Sequence, residues 1–97
     1  MTSQDYYPRE AEMTQAAIVH HPGVILQREL EARHMRQKDL ADKLGLSYAY
    51  INDLIHGRRS VSVSMAVRLE DLWGTSAEMW LSMQMNYDLF IARKEVK

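Results

Sequence analysis

From Pro22 onward the chain alternates short apolar-periodic runs with clear breaks, the pattern of several short helices in succession. In "HPGVILQRELEARH", Val24, Ile25, Leu26 and Leu30 form an apolar face, and Arg28, Glu29, Glu31 and Arg33 take the other side. Pro22 suits a first helical turn, where its missing N–H has no intrahelical partner. "QKDLADKL" predicts a second helix, with Leu40, Ala41 and Leu44 about a turn apart and Gly45 to end it. Ser47 is a good N-cap for a third helix that runs to about His56 and stops at Gly57. A fourth helix follows "SVSVS", capped by Ser62 or Ser64, with Ala66, Val67, Leu69, Leu72 and Trp73 on its buried side and Gly74 at its end. Thr75 and Glu78 have capping-box spacing and open a longer fifth helix, "SAEMWLSMQMNYDLFIARKEV". The one alternating run, Val61-Ser62-Val63-Ser64, is too short for a strand and sits where a turn is needed. The expected class is all-α.

Between Gln37 and Gly57 the spacing meets the demands of two short helices crossing steeply about a tight turn. Ala41 is small where the third helix crosses the second, and Gly45 tolerates left-handed geometry. Leu40 and Leu44 face inward, Leu46 plugs the turn, and Ile51 with Leu54 seats the third helix. A plain helical hairpin explains these apolar positions equally well. It does not explain why the third helix is so short, or why Ser47, Tyr48, Ala49, Tyr50, Asn52 and Asp53 leave its outer face without core residues. A nucleic-acid-reading helix explains both.

Charge sharpens this picture only when divided along the chain, because the formal total is −1. Residues 1–32 carry two basic and five acidic side chains, and residues 69–97 carry three and five. Residues 33–68 carry seven basic (Arg33, Arg36, Lys38, Lys43, Arg58, Arg59, Arg68) against three acidic (Asp39, Asp42, Asp53). An anionic partner would be met there. At 97 residues one domain is expected, with residues 1–19 as an N-terminal arm and 20–97 as the helical domain. There is no cysteine, no apolar run long enough to span a membrane, and no secretory pattern in "MTSQDYYPREAEMT", so a cytoplasmic setting is expected. His20 and His21 are adjacent rather than a helical turn apart, and His34 and His56 lie on different elements, so no metal site is expected. No nucleophile–base–acid set is evident, and neither an enzyme nor a cofactor is expected.

If the third helix enters a major groove, its early residues face base edges. Ser47, Tyr48, Ala49, Tyr50 and Asn52 are then the base-contacting candidates. Asn52 has the chemistry for bidentate pairing with adenine, and Ala49 for contact with a thymine methyl. Ser47 is also wanted as a cap. Each tyrosine can instead position the protein through a phosphate, or pack against the second helix, Tyr48 more readily than Tyr50. Gln37 sits at a helix start where free N–H groups meet phosphate, and Arg36, Lys38, Arg58 and Arg59 complete the phosphate candidates. Asp53 can accept from cytosine, repel phosphate, or pair with Arg58 or Arg59; pairing is the favoured role.

The last helix carries a different message. Met79, Trp80, Leu81, Met83, Met85, Tyr87, Leu89, Phe90 and Ile91 leave it almost no polar stripe, so it needs cover on two sides. A second copy of the chain is the simplest second cover, giving a twofold dimer through about residues 76–93. Met79, Trp80, Met83, Tyr87, Phe90 and Ile91 are the candidate interface residues. A dimer also fits two recognition helices about 34 Å apart on a palindromic duplex.

Three blocks together carry a family resemblance: "HPGVIL", "QKDLADKLGLSYAYINDLIHGRR" and "AVRLEDLWGTSAEMWLSMQMNYDL". From His21 to about Ala92 the chain resembles the phage-repressor (XRE) helix-turn-helix superfamily, and within it the HigA-type antitoxins. It departs from them in having Arg36 where a capping Ser or Thr usually precedes the Gln, and in a longer, more acidic arm. The resemblance implies a five-helix lambda-repressor-like fold and a homodimer on a palindromic operator. It also implies repression of its own operon and neutralisation of an mRNA-endonuclease toxin of the HigB type. Such toxins are basic, which makes the acidic segment 1–32 the expected contact. Two other functions remain open at this point: a stand-alone or prophage repressor without a toxin, and a protein-interaction module that keeps the motif as scaffold.

Overall fold

A computed structural model describes residues 19–96, and the proposed arm, apart from residue 19, lies outside the described residues. Five helices follow in order: α1 (Pro22–Ala32), α2 (Gln37–Leu44), α3 (Tyr48–Ile55), α4 (Val63–Trp73) and α5 (Ala77–Val96). Among the described residues there is no strand, so the all-α expectation holds. No described helix is long and apolar enough to cross a membrane.

Each boundary has a local cause. At α1 the imidazole of His21 takes the N-cap role, its Nδ1 accepting from the Gly23 N–H at 2.9 Å, with Pro22 next in line. The helix ends without glycine. His34 adopts a left-handed φ of 56°, and Met35 N–H then reaches back to the Leu30 carbonyl at 2.9 Å, which satisfies an otherwise free acceptor. At α2, Arg36 stands in for the usual hydroxyl cap. Its N–H donates to the Asp39 carboxylate at 2.9 Å and its guanidinium pairs with the same group at 3.1 Å. Only the return half of a capping box is therefore made. Gly45, at φ 68°, ends α2 in the geometry its position predicts.

Ser47 caps α3 by accepting from Tyr50 N–H, and Ser62, rather than Ser64, caps α4 by accepting from Met65 N–H, both at 3.1 Å. The expected Thr75–Glu78 capping box is not what opens α5. Ser76 is the cap, accepting from Met79 N–H at 3.2 Å and donating to Glu78 at 3.0 Å. Thr75 is occupied elsewhere: its hydroxyl accepts from Trp80 Nε1 at 2.9 Å.

The core is built from Leu26 and Leu30 of α1, Leu40 and Ala41 of α2, Ile51 and Leu54 of α3, Val61, then Met65, Ala66 and Leu69 of α4, and Ala77 and Trp80 of α5. Leu44, Leu46, Leu72 and Trp73 pack partly buried against it. α1 packs on α3 and α5, α2 on α3, and α4 on α5. Gly23 is where α1 approaches α3 most closely: a Cβ there would overlap the Leu54 carbonyl oxygen and lie 2.8 Å from that of Ile55. Two expectations need correction. Val67 is 42% exposed, and Met65, two residues earlier and so on nearly the opposite side of α4, fills the core instead. Trp80 is wholly buried in its own chain, so it cannot form a dimer surface; its indole is core, with the one polar atom satisfied by Thr75.

Candidate nucleic-acid interface

α3 spans eight residues, seated by Ile51 and Leu54, both wholly buried. With a repeat of 3.6 residues, burying 51 and 54 turns 48, 49, 52, 53 and 56 outward. Tyr48 is 55% exposed, and Ala49 is exposed beside it. Tyr50 is partly buried against the core, and the Arg59 guanidinium lies over its ring, 4.4 Å from the centroid. That reverses the expected order of the two tyrosines. Position 50 lies on the buried side of the helix next to Ile51, whereas position 48 starts the helix at its free end.

Asn52 is the junction of a side-chain chain that crosses the motif. Its Nδ2 donates to Gln37 Oε1 at 2.9 Å, joining α3 to the first residue of α2. Its Oδ1 accepts from an Arg58 guanidinium nitrogen at 3.0 Å. Arg58 Nε in turn donates to Asp53 Oδ1 at 3.0 Å. In this arrangement each half of the Asn52 amide is engaged once within the protein, which fixes its orientation and leaves one N–H and one oxygen lone pair. The role favoured for Asp53, pairing with one of the following arginines, is the one found, with Arg58 as partner.

The charged groups line up around this chain. Arg36 and Lys38 are exposed at the start of α2, and Arg58 and Arg59 are exposed just past α3. Hydrogen bonds from Arg36 hold the Asp39 carboxylate below the usual carboxylate range, and Asp39 holds the Arg36 guanidinium more firmly charged. Gln37 is half-buried; its oxygen takes the bond from Asn52, and its Nε2 donor has no partner among the described residues. Ser47 spends an oxygen lone pair on its own helix and retains its O–H as a donor. The structure thus brings Gln37, Asn52 and Arg58 into one network and places Arg36 on Asp39 and Arg59 on Tyr50.

Of the proposed dimer residues, Met79 is 39% exposed, Met83, Phe90 and Ile91 are half-buried, and Tyr87 stacks edge-on against His21 with ring centroids 5.1 Å apart. Met85 and Leu89 are more exposed than most of these, at 55% and 39%. Two residues that sequence reasoning passed over hold the loop after α3. His21 packs on Gly57, and Gln84, buried in α5, accepts from Val61 N–H at 2.8 Å. A glutamine within an otherwise apolar stretch was the available signal for the second. The first had none beyond the "HPG" block.

A short exposed helix held across a tight turn, with cations at both of its margins, defines an all-α helix-turn-helix protein. Comparison with known proteins agrees. Residues 26–80 match the helix-turn-helix family model. Virulence-associated protein I of Dichelobacter nodosus is 36% identical over 76 residues, covering 77% of this chain and 70% of its own. A HigA-family addiction module antidote protein from Coxiella burnetii is similar in structure, with TM-score 0.74 and 35% identity over 78% of this chain and 84% of its own. Pseudomonas aeruginosa antitoxin HigA, solved with the higBA promoter, gives TM-score 0.75 and 35% identity at the same coverage, 78% and 84%. The chain belongs to the XRE-type helix-turn-helix family, and its solved neighbours are HigA-type antitoxins.

Proposed function

We propose that this chain is a dimeric, sequence-specific DNA-binding antitoxin of the HigA type, which represses its own operon and neutralises an mRNA-endonuclease toxin encoded beside it. The observation that carries the DNA part is the Gln37–Asn52–Arg58 chain, which fixes the outer face of α3 relative to the start of α2. Held from both halves of its amide by Gln37 and Arg58, Asn52 is a positioning residue in this reading. Base contact falls to Tyr48 and Ala49, with the Ser47 O–H at the edge of the groove. Tyr50 supports Arg59 from behind. Phosphates are met by Gln37 Nε2 and the free N–H groups of α2, by Lys38 and Arg36, and by Arg58 and Arg59. The promoter DNA in the similar P. aeruginosa HigA structure supports the DNA-binding reading.

Dimerisation through α5 rests on its uncovered apolar side chains. Met79, Met83, Phe90 and Ile91 are the interface residues retained from the sequence, and Met85 and Leu89 extend them. Tyr87 contributes through the part of its ring not turned to His21. The acidic segment 1–32 is assigned to the toxin. Co-expression with the neighbouring gene tests that part: the full chain restores growth, and a chain lacking residues 1–19 does not. Full neutralisation by the truncated chain would move the toxin contact elsewhere.

A further inference from the structure

The loop that presents Arg58 and Arg59 is held at two points by residues far away in sequence. Gln84 of α5 accepts from Val61 N–H at 2.8 Å and donates to Asp88 at 2.9 Å, fixing the far end. His21 fixes the near end. Its ring is buried, lies against Gly57 so closely that a Cβ there would sit 3.6 Å from its Cγ, and meets Tyr87 in a T-shaped contact. Its Nδ1 is already an acceptor for Gly23 N–H. The neutral ring therefore carries its proton on Nε2.

We propose that His21 is a positioning residue for the phosphate-contacting loop, and that a proton added at Nδ1 releases it. The added proton would confront the Gly23 N–H, donor against donor, so the α1 cap opens and the ring moves off Gly57 and the start of the loop. The groups facing the ring are Tyr87 and Asp88 from α5, the Arg59 backbone from the loop, and the Gly23 N–H from α1. Asp88 and the Arg59 carbonyl favour the cation, but burial outweighs them and holds the ring below the ordinary histidine range. The sign follows. The unfolded chain takes the proton first, so the support His21 gives is intact above the ordinary value of about 6.5 and is lost as pH falls through the lower folded value.

This inference uses the DNA-binding reading only for its consequence, and its test separates the two. In an NMR titration of the whole chain without DNA, the His21 ring should titrate below the ordinary value. The amides of Gly23, Arg59 and Ser60 should shift with the same midpoint. In His21→Asn, whose amide oxygen can still cap α1 but does not titrate, those amides should show no such transition. A ring that titrates at the ordinary value, or loop amides that ignore its proton, overturns the proposal. Binding to a duplex from the promoter upstream of the chain's own gene, at fixed salt, supplies the second readout. The affinity ratio of wild type to His21→Asn should fall on acidification, by at most about ten-fold per pH unit for one coupled proton. Parallel pH profiles overturn it as well. No binding at any pH instead overturns the DNA-binding reading, while the NMR result still decides the role of His21.

Discussion

The side-chain amide of Asn52 donates to Gln37 at 2.9 Å and accepts from Arg58 at 3.0 Å, linking the first turn of α2 to the loop beyond α3. Fifteen residues separate Asn52 from Gln37, so this bond sets how the two helices of the motif cross. Replacing Asn52 with Ala strands both partners and should cost about 1 kcal/mol of stability. It should weaken DNA binding while leaving base preference nearly unchanged. Affinities for a set of operators with single base-pair changes measure this. If the variant instead relaxes preference at one base pair, Asn52 reads that base.

Arg58 and Asp53 form an ion pair at 3.0 Å that is open to solvent. Such pairs contribute little to folding, so Asp53→Ala should change stability by no more than about 0.5 kcal/mol. Arg58→Ala should lower the slope of log affinity against log salt by about one, the signature of a lost phosphate contact. Thermal melts and salt titrations of the two variants check both statements. An unaltered slope would remove Arg58 from the phosphate set.

Trp80 and Phe90 should separate folding from association. Trp80 is wholly buried, and Trp80→Ala should cost roughly 3–5 kcal/mol through the cavity it leaves. Phe90→Glu, on the half-buried flank of α5, should leave the helical content intact and yield monomers in sedimentation equilibrium. A folded Phe90→Glu dimer would place the interface elsewhere.

Gly23 should tolerate no side chain. Its missing Cβ admits the Leu54 and Ile55 carbonyls, which are backbone and cannot rotate away. Gly23→Ala should lower the midpoint of thermal unfolding sharply, with a loss of at least about 2 kcal/mol, comparable to severe overpacking. A wild-type melt would mean that α1 can shift off α3 at little cost.

The helices and their ends were legible because apolar spacing, capping serines and glycines are local signals. Ser47, Gly45 and the Leu40–Ala41–Ile51–Leu54 seat fall where the sequence places them. What was not legible depends on rotation and on distant partners. In α4, Val67 is apolar but lies off the face formed by Ala66, Leu69 and Trp73, which passes through Met65 instead. α5 is apolar around most of its circumference, so nothing in the sequence says that Trp80 faces inward while Met85 faces out. The engagement of Asn52 could not be read either, because Gln37 and Arg58 reach it only once the turn has formed. His21 was visible only as part of a motif; its contacts come from α1, α5 and the loop after α3 together.

Sequence-specific DNA binding is tested by equilibrium binding of the wild-type chain to a duplex from its own promoter, beside a scrambled duplex of equal length at the same salt. Specific operators are typically bound at least about a thousand-fold more tightly than random DNA. A preference of that order is expected here, with two protomers per palindromic site. Equal affinity for the two duplexes would contradict it.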